Sequence, residues 1–549
     1  MVIFNDGVSE TETPDSAVVE TDVLIVGSGP AGSSAALFLS SLGVPNIMIT
    51  KYRWTANTPR AHITNQRTME IFRDVGIEDQ VLADATPHHM IGDTVFCTSI
   101  AGEEIGRILT WGNHPARHAD YELASPSLNC DIPQTYLEPI LVRNATMRGT
   151  QTQFSTEYLS HSQDDDGVSV RVLNRLTGHE YTIRAKYWVI QPGSNIGGIG
   201  AGLVRMVRPW NEWLIVWGFD INEGTPQVSE DDARQIVRNL IGVPDLNVEI
   251  TGISLWGNNE QYATRLQAGR VFCAGDAIHK HPPSNGLGSN TSIQDSYNLA
   301  WKLNAVLKGQ AGQELLETYS AERAPVAEQI VTRANRSARE FGKLFEALGI
   351  DTAETAEDML ALIESRKDAT PEGAAKRAAV QEAMDLKNYE FNAHGVELGQ
   401  HYVSTAVVGD GTARPKPGRD QELYYQPTTQ PGGRLPHAWV GDNRHKYSTH
   451  DLAPYGQFTL FTGITGGDWT TAAQKVGDQL GITINTVVIG PGQEITDLYF
   501  DWAKLREVAE DGALLVRPDK HIGWRYHTMP ADPETELRTA AAAILNRSE

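Results

Sequence analysis

The 549 residues carry 40% hydrophobic and 21% charged side chains, a globular balance that excludes a disordered chain, and the length implies two or three domains. A formal net charge of -23 repels phosphate backbones and anionic headgroups, so neither nucleic acid nor a membrane is expected as a partner. No Lys or Arg precedes Lys51, no apolar run is long enough to span a bilayer, and Cys97, Cys130 and Cys273 follow no metal or disulfide spacing, so a cytoplasmic, reducing setting is expected.

Residues 1–20 read as a flexible acidic leader. The run TDVLIVG (21–27) has the β-branched, apolar character of a buried parallel strand. GSGPAG follows, and SSAALFLSSLG then reads as a helix with Ala35, Ala36 and Leu39 on one face. In that strand–turn–helix context each glycine has a task. Gly27 permits the tight turn, Gly29 lets backbone approach a pyrophosphate, and Gly32 lets helix and strand pack closely. Pro30 and Ala31 open a helix whose N-terminus faces the phosphate charge. The alternative is a turn that only packs well. The next strand, NIMIT (46–50), ends where a ribose-binding carboxylate is expected, but Lys51 stands there.

Further along, RAKYWVIQPGSNIGG holds several glycines. No helix pattern follows Gly197, Gly198, Gly200 and Gly202. The text LVRMVRPWNEWLIVWGF instead reads as strand, turn at Pro209–Asn211, and strand. VFCA (271–274) is another buried strand, ending at Gly275 and Asp276. A carboxylate at that edge suits the hydroxyls of a sugar alcohol. A stiff stretch with His279, His281, Pro282 and Pro283 follows. Gly286, Leu287, Gly288, Ser289 and Asn290 then lead into a helix that Asn290 or Thr291 can cap. Its free amides suit an anion, and a reduced flavin is one. His279 and His281 at i and i+2 make a weak ligand set, so a structural role is favoured over metal binding.

GDAIHKHPPSNGLGSN followed by DSYNLAWK resembles the flavin-binding segment of FAD-dependent aromatic (class A) monooxygenases. TKYRWTANTPRAHITNQRTMEIF and QPGSNIGGIGAGLVRMVRPWNEW are similar to the phenol hydroxylase group within that family. The resemblance implies an α/β fold: a Rossmann-like FAD-binding domain, an inserted β-sheet substrate domain and a C-terminal thioredoxin-like domain. The expected bounds are 21–187 and 265–400 for the first, with substrate-domain strands inserted near 77–115. They are 188–264 for a shortened substrate domain and 401–549 for the third.

It also implies roles. Arg60 would lie near the pyrophosphate and the incoming nicotinamide, and Gln134 would contact the cofactor together with Lys51 and Asp276. His62 lies where phenol hydroxylases place an acidic catalytic residue, and its proton affinity suits a substrate base, a structural His being the alternative. Pro283, beside the flavin, joins His62 and Arg60 as a catalytic candidate. The implied cofactors are FAD and, transiently, NADPH. The implied reaction is ortho-hydroxylation of a phenol or chlorophenol by O2 through a flavin C4a-hydroperoxide, in a homodimer or homotetramer. The C-terminal segment has no Cys, so it would pack rather than exchange disulfides.

One departure stands out. Relatives carry a strand ending in Asp-Gly and several dozen further residues where Tyr187 here meets Trp188. The gap bears on nicotinamide handling and on a wall of the flavin pocket.

Overall fold

The computed structural model describes residues 18–190, 202–208, 211–218, 224, 226–254, 257, 259–442 and 444–547. The expected leader falls mostly outside the described residues, but residues 18–20 already belong to the first strand.

The N-terminal half builds one sheet. β1 (Val18–Val26) leads through the glycine turn into α1 (Pro30–Ser41) and β2 (Asn46–Ile49). β3 (Ile63–Thr64) precedes α2 (Gln66–Asp74), which Asn65 caps by accepting from the Thr68 amide. The hairpin β4 (Asp93–Cys97) and β5 (Glu104–Leu109) lies within the expected insertion. β6 (Cys130–Asp131) pairs with β3 and opens the way to α3 (Gln134–Met147). Then come β7 (Gln151–Gln153), β8 (Thr156–Gln163), β9 (Val168–Asn174) and β10 (Glu180–Ile190). β11 (Leu203–Arg208) and β12 (Glu212–Val216) form an antiparallel ribbon, the expected strand–turn–strand. Pro209 and Trp210 of its turn lie outside the described residues, as do Gly197, Gly198 and Gly200. β13 (Gln267–Ala268) and β14 (Val271–Cys273) return to the first sheet before α4 (Gly288–Leu307) and α5 (Glu317–Arg339).

The strand order is β13-β14-β10-β1-β2-β7, with β9 on β10 and β8 on β9. β14, β10, β1, β2 and β7 run parallel. Val23, Leu24 and Ile25 of the central strand are fully buried, as a sheet covered on both faces requires. α1 and α4 pack side by side on it; Ser296 of α4 donates to the Ala31 carbonyl at 2.8 Å.

β10 corrects one expected boundary. Tyr187 pairs with Val23 and Trp188 with Leu24, in consecutive register, and Ile190 pairs with Val26. Residues 188–190 therefore belong to the central sheet and do not open a substrate domain. The step where the sequence departs from its relatives lies inside an unbroken strand, with Trp188 buried against Tyr158 in a stacked pair.

The C-terminal unit comprises β15 (Phe458–Thr462), α6 (Gly467–Leu480), β16 (Ile484–Val488), β17 (Ala513–Val516), β18 (Ile522–Tyr526) and α7 (Pro533–Ile544). Its sheet order is β16-β15-β17-β18, with β15 and β16 parallel and the other pairs antiparallel. This is the thioredoxin-like arrangement. The segment GALLVRPDKHIGWR holds two strands because the Pro518–Lys520 turn reverses the chain.

Buried charge joins this unit to the first. Arg517 donates to both carboxylate oxygens of Glu322 at 2.6 and 2.9 Å and to Asp519 at 2.6 Å, while Lys302 of α4 reaches Glu322 at 2.7 Å. Burial alone would raise the Glu322 carboxyl, but Arg517 and Lys302 outweigh it and hold it well below the usual carboxylate range. Lys520 pairs with Asp74 at 2.7 Å, and Arg73 grips Asp451 at 2.6 and 2.9 Å. Such geometry fixes one relative placement of the two units.

Candidate active site

Two helix starts converge where the sequence expects a dinucleotide. α1 has Gly29 at its N-cap, no side-chain cap and no acidic residue in its first turn. Gly27 has φ 109°, and a Cβ on Gly32 would sit 2.0 Å from the Gly27 carbonyl oxygen, so both must be glycine. α4 begins at Gly288 and also lacks a side-chain cap. Gly275 lies between them with φ 63°; a Cβ there would meet Ser292 Oγ at 2.9 Å and Ala31 Cβ at 3.1 Å. Two uncapped N-termini, drawn together by residues without side chains, form a cradle for an anion.

The expected cap is corrected. Asn290 sits in the first turn of α4 and spends its side chain elsewhere. Its Nδ2 donates to the Ile63 carbonyl at 2.8 Å and the Gly286 carbonyl at 2.7 Å, and its Oδ1 accepts from the Asn65 amide at 3.0 Å. Asn290 thus ties β3 to the helix start and leaves the terminus uncapped.

That tie sets His62, the neighbour of Ile63, beside the cradle. His62 is buried, with Nδ1 3.3 Å from Asp131 Oδ1 and Nε2 3.1 Å from the Pro59 carbonyl. Arg205, on β11, donates to the other Asp131 oxygen at 2.5 Å. Burial pushes the Asp131 carboxyl up, but His62 and Arg205 more than offset this and keep it below its ordinary value. A histidine backed by a charged carboxylate is a unit that can move a proton.

The family pattern described as FAD binding domain matches residues 20–195 and 187–334, and the one described as aromatic-ring hydroxylase, C-terminal, matches residues 428–548. The chain belongs to the FAD-dependent aromatic-ring hydroxylases. It is 63% identical to a phenol 2-monooxygenase of Pseudomonas sp. (strain EST1001), across 98% of this chain and 95% of that one. It is 49% identical to a 2,4-dichlorophenol 6-monooxygenase of Cupriavidus pinatubonensis (strain JMP 134 / LMG 1197), across 96% and 97%. Among solved structures, the flavin-dependent monooxygenase PieE, in complex with FAD and substrate, superposes with a TM-score of 0.92 at 40% identity, covering 96% of this chain and 100% of that one.

These comparisons also bear on the departure at Tyr187. The first two alignments span 575 and 581 positions, more than the 549 residues of this hydroxylase, so both relatives carry residues without counterpart here. The two parts of the FAD-binding match overlap on residues 187–195, so the family pattern is interrupted at that point.

The hydroxylase fits FAD at the cradle: the glycines leave room for backbone approach, and both helix termini offer amides to negative charge. Gly27, Gly29, Pro30, Ala31 and Gly32 would hold the pyrophosphate. Gly286, Leu287, Gly288 and Ser289 would face the ring system, through backbone. Asp276 is half-buried at the end of β14, in a short turn shared with Gly275.

The other expected contacts are spread along the rim. Lys51 is exposed just past β2, its Nζ 5.5 Å from the centre of the Tyr52 ring. Arg60 is exposed, with Nε on Thr58 Oγ1 at 3.0 Å. Gln134 opens α3 and donates its side-chain amide to Glu138 at 2.5 Å. Pro283 is exposed at the entrance to the turn before α4. His279 lies 3.3 Å from Asp295, which also takes Arg323, and burial pushes His281 down to about 4. Among the described residues, no cluster of three or more His, Cys, Asp or Glu is arranged to hold a metal.

Beside His62 lies an apolar group of Ile63, Ile91 and Trp111, flanked by Phe391. A Cβ on Gly286 would come 3.3 Å from Ile63 and 3.5 Å from Trp111, so this group abuts the turn before α4. Sequence reading missed Asp131, Arg205 and Trp111. Asp131 is 69 residues from His62, and only the pairing of β3 with β6 joins them. Among the described residues, no helix of the hydroxylase is long and apolar enough to cross a membrane.

Proposed function

We propose that this hydroxylase uses NADPH and O2 to place one oxygen atom ortho to the hydroxyl of a phenol or chlorophenol. The balanced change is phenol, O2, NADPH and a proton to catechol, NADP⁺ and water. Phenol and 2,4-dichlorophenol, the latter giving 3,5-dichlorocatechol, are the first substrates to try, following the names of the relatives.

The observation that carries this reading is the Asn290 tie between Ile63 and the start of α4. It sets a histidine–carboxylate pair and an apolar wall against one flavin cradle. FAD, when bound, supplies the redox chemistry, taking two electrons from the nicotinamide and passing them to dioxygen.

The chain's own residues do the rest. With Nδ1–H on Asp131, His62 offers the lone pair of Nε2, the nitrogen 3.1 Å from the Pro59 carbonyl, to the phenolic proton. The ring then donates from both nitrogens, to Asp131 and to the Pro59 carbonyl. The phenolate so formed is the better nucleophile at its ortho carbon. Ile63, Ile91, Trp111 and Phe391 give the ring an apolar seat and keep water out. Arg60 meets phosphate on the exposed rim. A homodimer or homotetramer is the proposed assembly.

A second reading rests on the interrupted family pattern. The β11–β12 ribbon pairs only with itself among the described residues, and Leu203 and Trp213 are 50% and 45% exposed. A substrate region opened in this way would let electrons pass to O2 without oxygenation, giving hydrogen peroxide. The deciding experiment incubates purified protein with FAD, NADPH, air and each phenol. Catechol by mass spectrometry in proportion to NADPH consumed supports hydroxylation; peroxide in its place supports the second reading.

A further inference from the structure

Glu138 is a carboxylate only 2% exposed, one helical turn from Gln134. Its Oε1 accepts from Gln134 Nε2 at 2.5 Å. Its Oε2 accepts from the backbone amide of Ala56 at 2.6 Å. Ala56 lies midway along the 51–60 stretch that carries Lys51 and Arg60. Burial raises the Glu138 carboxyl, while the Ala56 amide, the Gln134 amide and the charge of Arg60 favour its ionised form.

We infer that Glu138 is a positioning residue for the cofactor: it fixes which end of the Gln134 amide faces the flavin cradle, and it pins the 51–60 stretch that bears Arg60. This rests on the reading of Gln134 as a cofactor contact.

The argument is one of hydrogen-bond polarity. An ionised carboxylate only accepts, so the Gln134 group that faces it must be the NH2. The amide oxygen is then turned away from Glu138. Gln134 is at the first position of α3, with its backbone amide on the Ala61 carbonyl at 2.8 Å, so its backbone is already anchored. The chain thereby presents an acceptor, suited to an O–H or N–H of the dinucleotide. A glutamine in an unconstrained setting would offer either end. The same carboxylate takes Ala56, so the acceptor and the cationic stretch are set by one group. Nothing in α3 requires a buried acid at this position, because a leucine would serve an apolar helix face without desolvating a charge.

The test is FAD titration of the apoprotein, read by quenching of flavin fluorescence, with thermal melts as a check on folding. Gln134→Leu is expected to weaken FAD about tenfold, the loss of one hydrogen bond of about 1.4 kcal/mol. Glu138→Gln keeps the volume and still accepts from Ala56, but offers its own NH2 to Gln134 and turns that amide round. It is expected to weaken FAD by a similar factor with its melt little changed. The double variant Gln134→Glu with Glu138→Gln restores an outward acceptor and is expected to recover most of the affinity. If Gln134→Leu weakens FAD and Glu138→Gln does not, Glu138 has no positioning role, while the cofactor reading of Gln134 stands. If Gln134→Leu binds FAD normally, that reading fails and the inference falls with it. Weakened binding by Glu138→Gln without recovery in the double variant would also overturn it, leaving Glu138 a packing residue.

Discussion

Arg205 Nη2 lies 2.5 Å from Asp131 Oδ2, so a residue of the β11–β12 ribbon completes a charge group on the FAD-binding domain. The pair is worth more as a setting for His62 than as stability, because Arg205 is 28% exposed and the contact is screened. Asp131 has its carboxyl held below the ordinary value, so its contribution is present above the unfolded value and is lost as pH falls through the folded one. Arg205→Gln removes one of the two groups that hold it down. The acid limb of the hydroxylation profile should then move to higher pH, with a stability loss of about 1 kcal/mol or less. Superimposable pH profiles of parent and variant would show that Arg205 does not act through Asp131.

His62→Gln tests the proton step itself. General-base catalysis contributes about 10²–10⁴-fold, so the variant should lose turnover of phenol within that range while its FAD content stays at the parent level. A nitrophenol already ionised at the assay pH needs no base and should lose far less. Equal losses on both substrates would reduce His62 to a packing residue beside the cradle.

Much of this was legible in the sequence because it is local. GSGPAG lies between a β-branched strand and a helix, and a Cβ at Gly32 would collide with the Gly27 carbonyl, so the spacing itself encodes the turn. The segment from Gly275 to Asn290 is similarly continuous. What sequence could not supply is pairing at long range. The caps expected of Asn290 and Thr291 follow local rules, yet Asn290 bonds to Asn65 and Ile63, more than 220 residues away, and that competing partner wins. The 187/188 boundary was misplaced because the residues on both sides are apolar and β-forming. Either side suits a buried strand, and only pairing with β1 reveals that they share one. Asp131 and Arg205 carry no local signal at all.

The interface between the two large units offers a stability prediction. Glu322 neutralises Lys302 and Arg517, and all three are fully buried. Glu322→Ala leaves Lys302 without a counter-charge and Arg517 with Asp519 alone, and breaking a buried pair from one side costs about 3–5 kcal/mol. The melt should drop sharply or split into two transitions as the C-terminal unit parts from α4. The sign with pH follows from the depressed carboxyl: the network stabilises above the unfolded value and is lost as pH falls through the folded one. In the parent, acid should therefore produce the same loosening. A single melt within a degree or two of the parent would mean that water reaches the network.

Glu397 behaves in the opposite way. Its carboxyl is buried, Oε2 has no hydrogen-bond partner among the described residues, and burial lifts it from 4.5 to about 8, with Arg117 offsetting only part. An acid whose folded value is raised gives its full contribution below the unfolded value, and that contribution is lost as pH climbs through the folded one. Each pH unit across the interval from 4.5 to 8 costs about 1.4 kcal/mol. Glu397→Gln removes this titration and leaves a neutral group of the same size. The variant should match the parent in thermal stability near pH 5 and exceed it by roughly 2–3 kcal/mol near neutral pH. Melts of both proteins from pH 5 to 8.5 decide it. A gap that does not widen with pH would mean that Glu397 is already ionised in the folded state, held by Arg117.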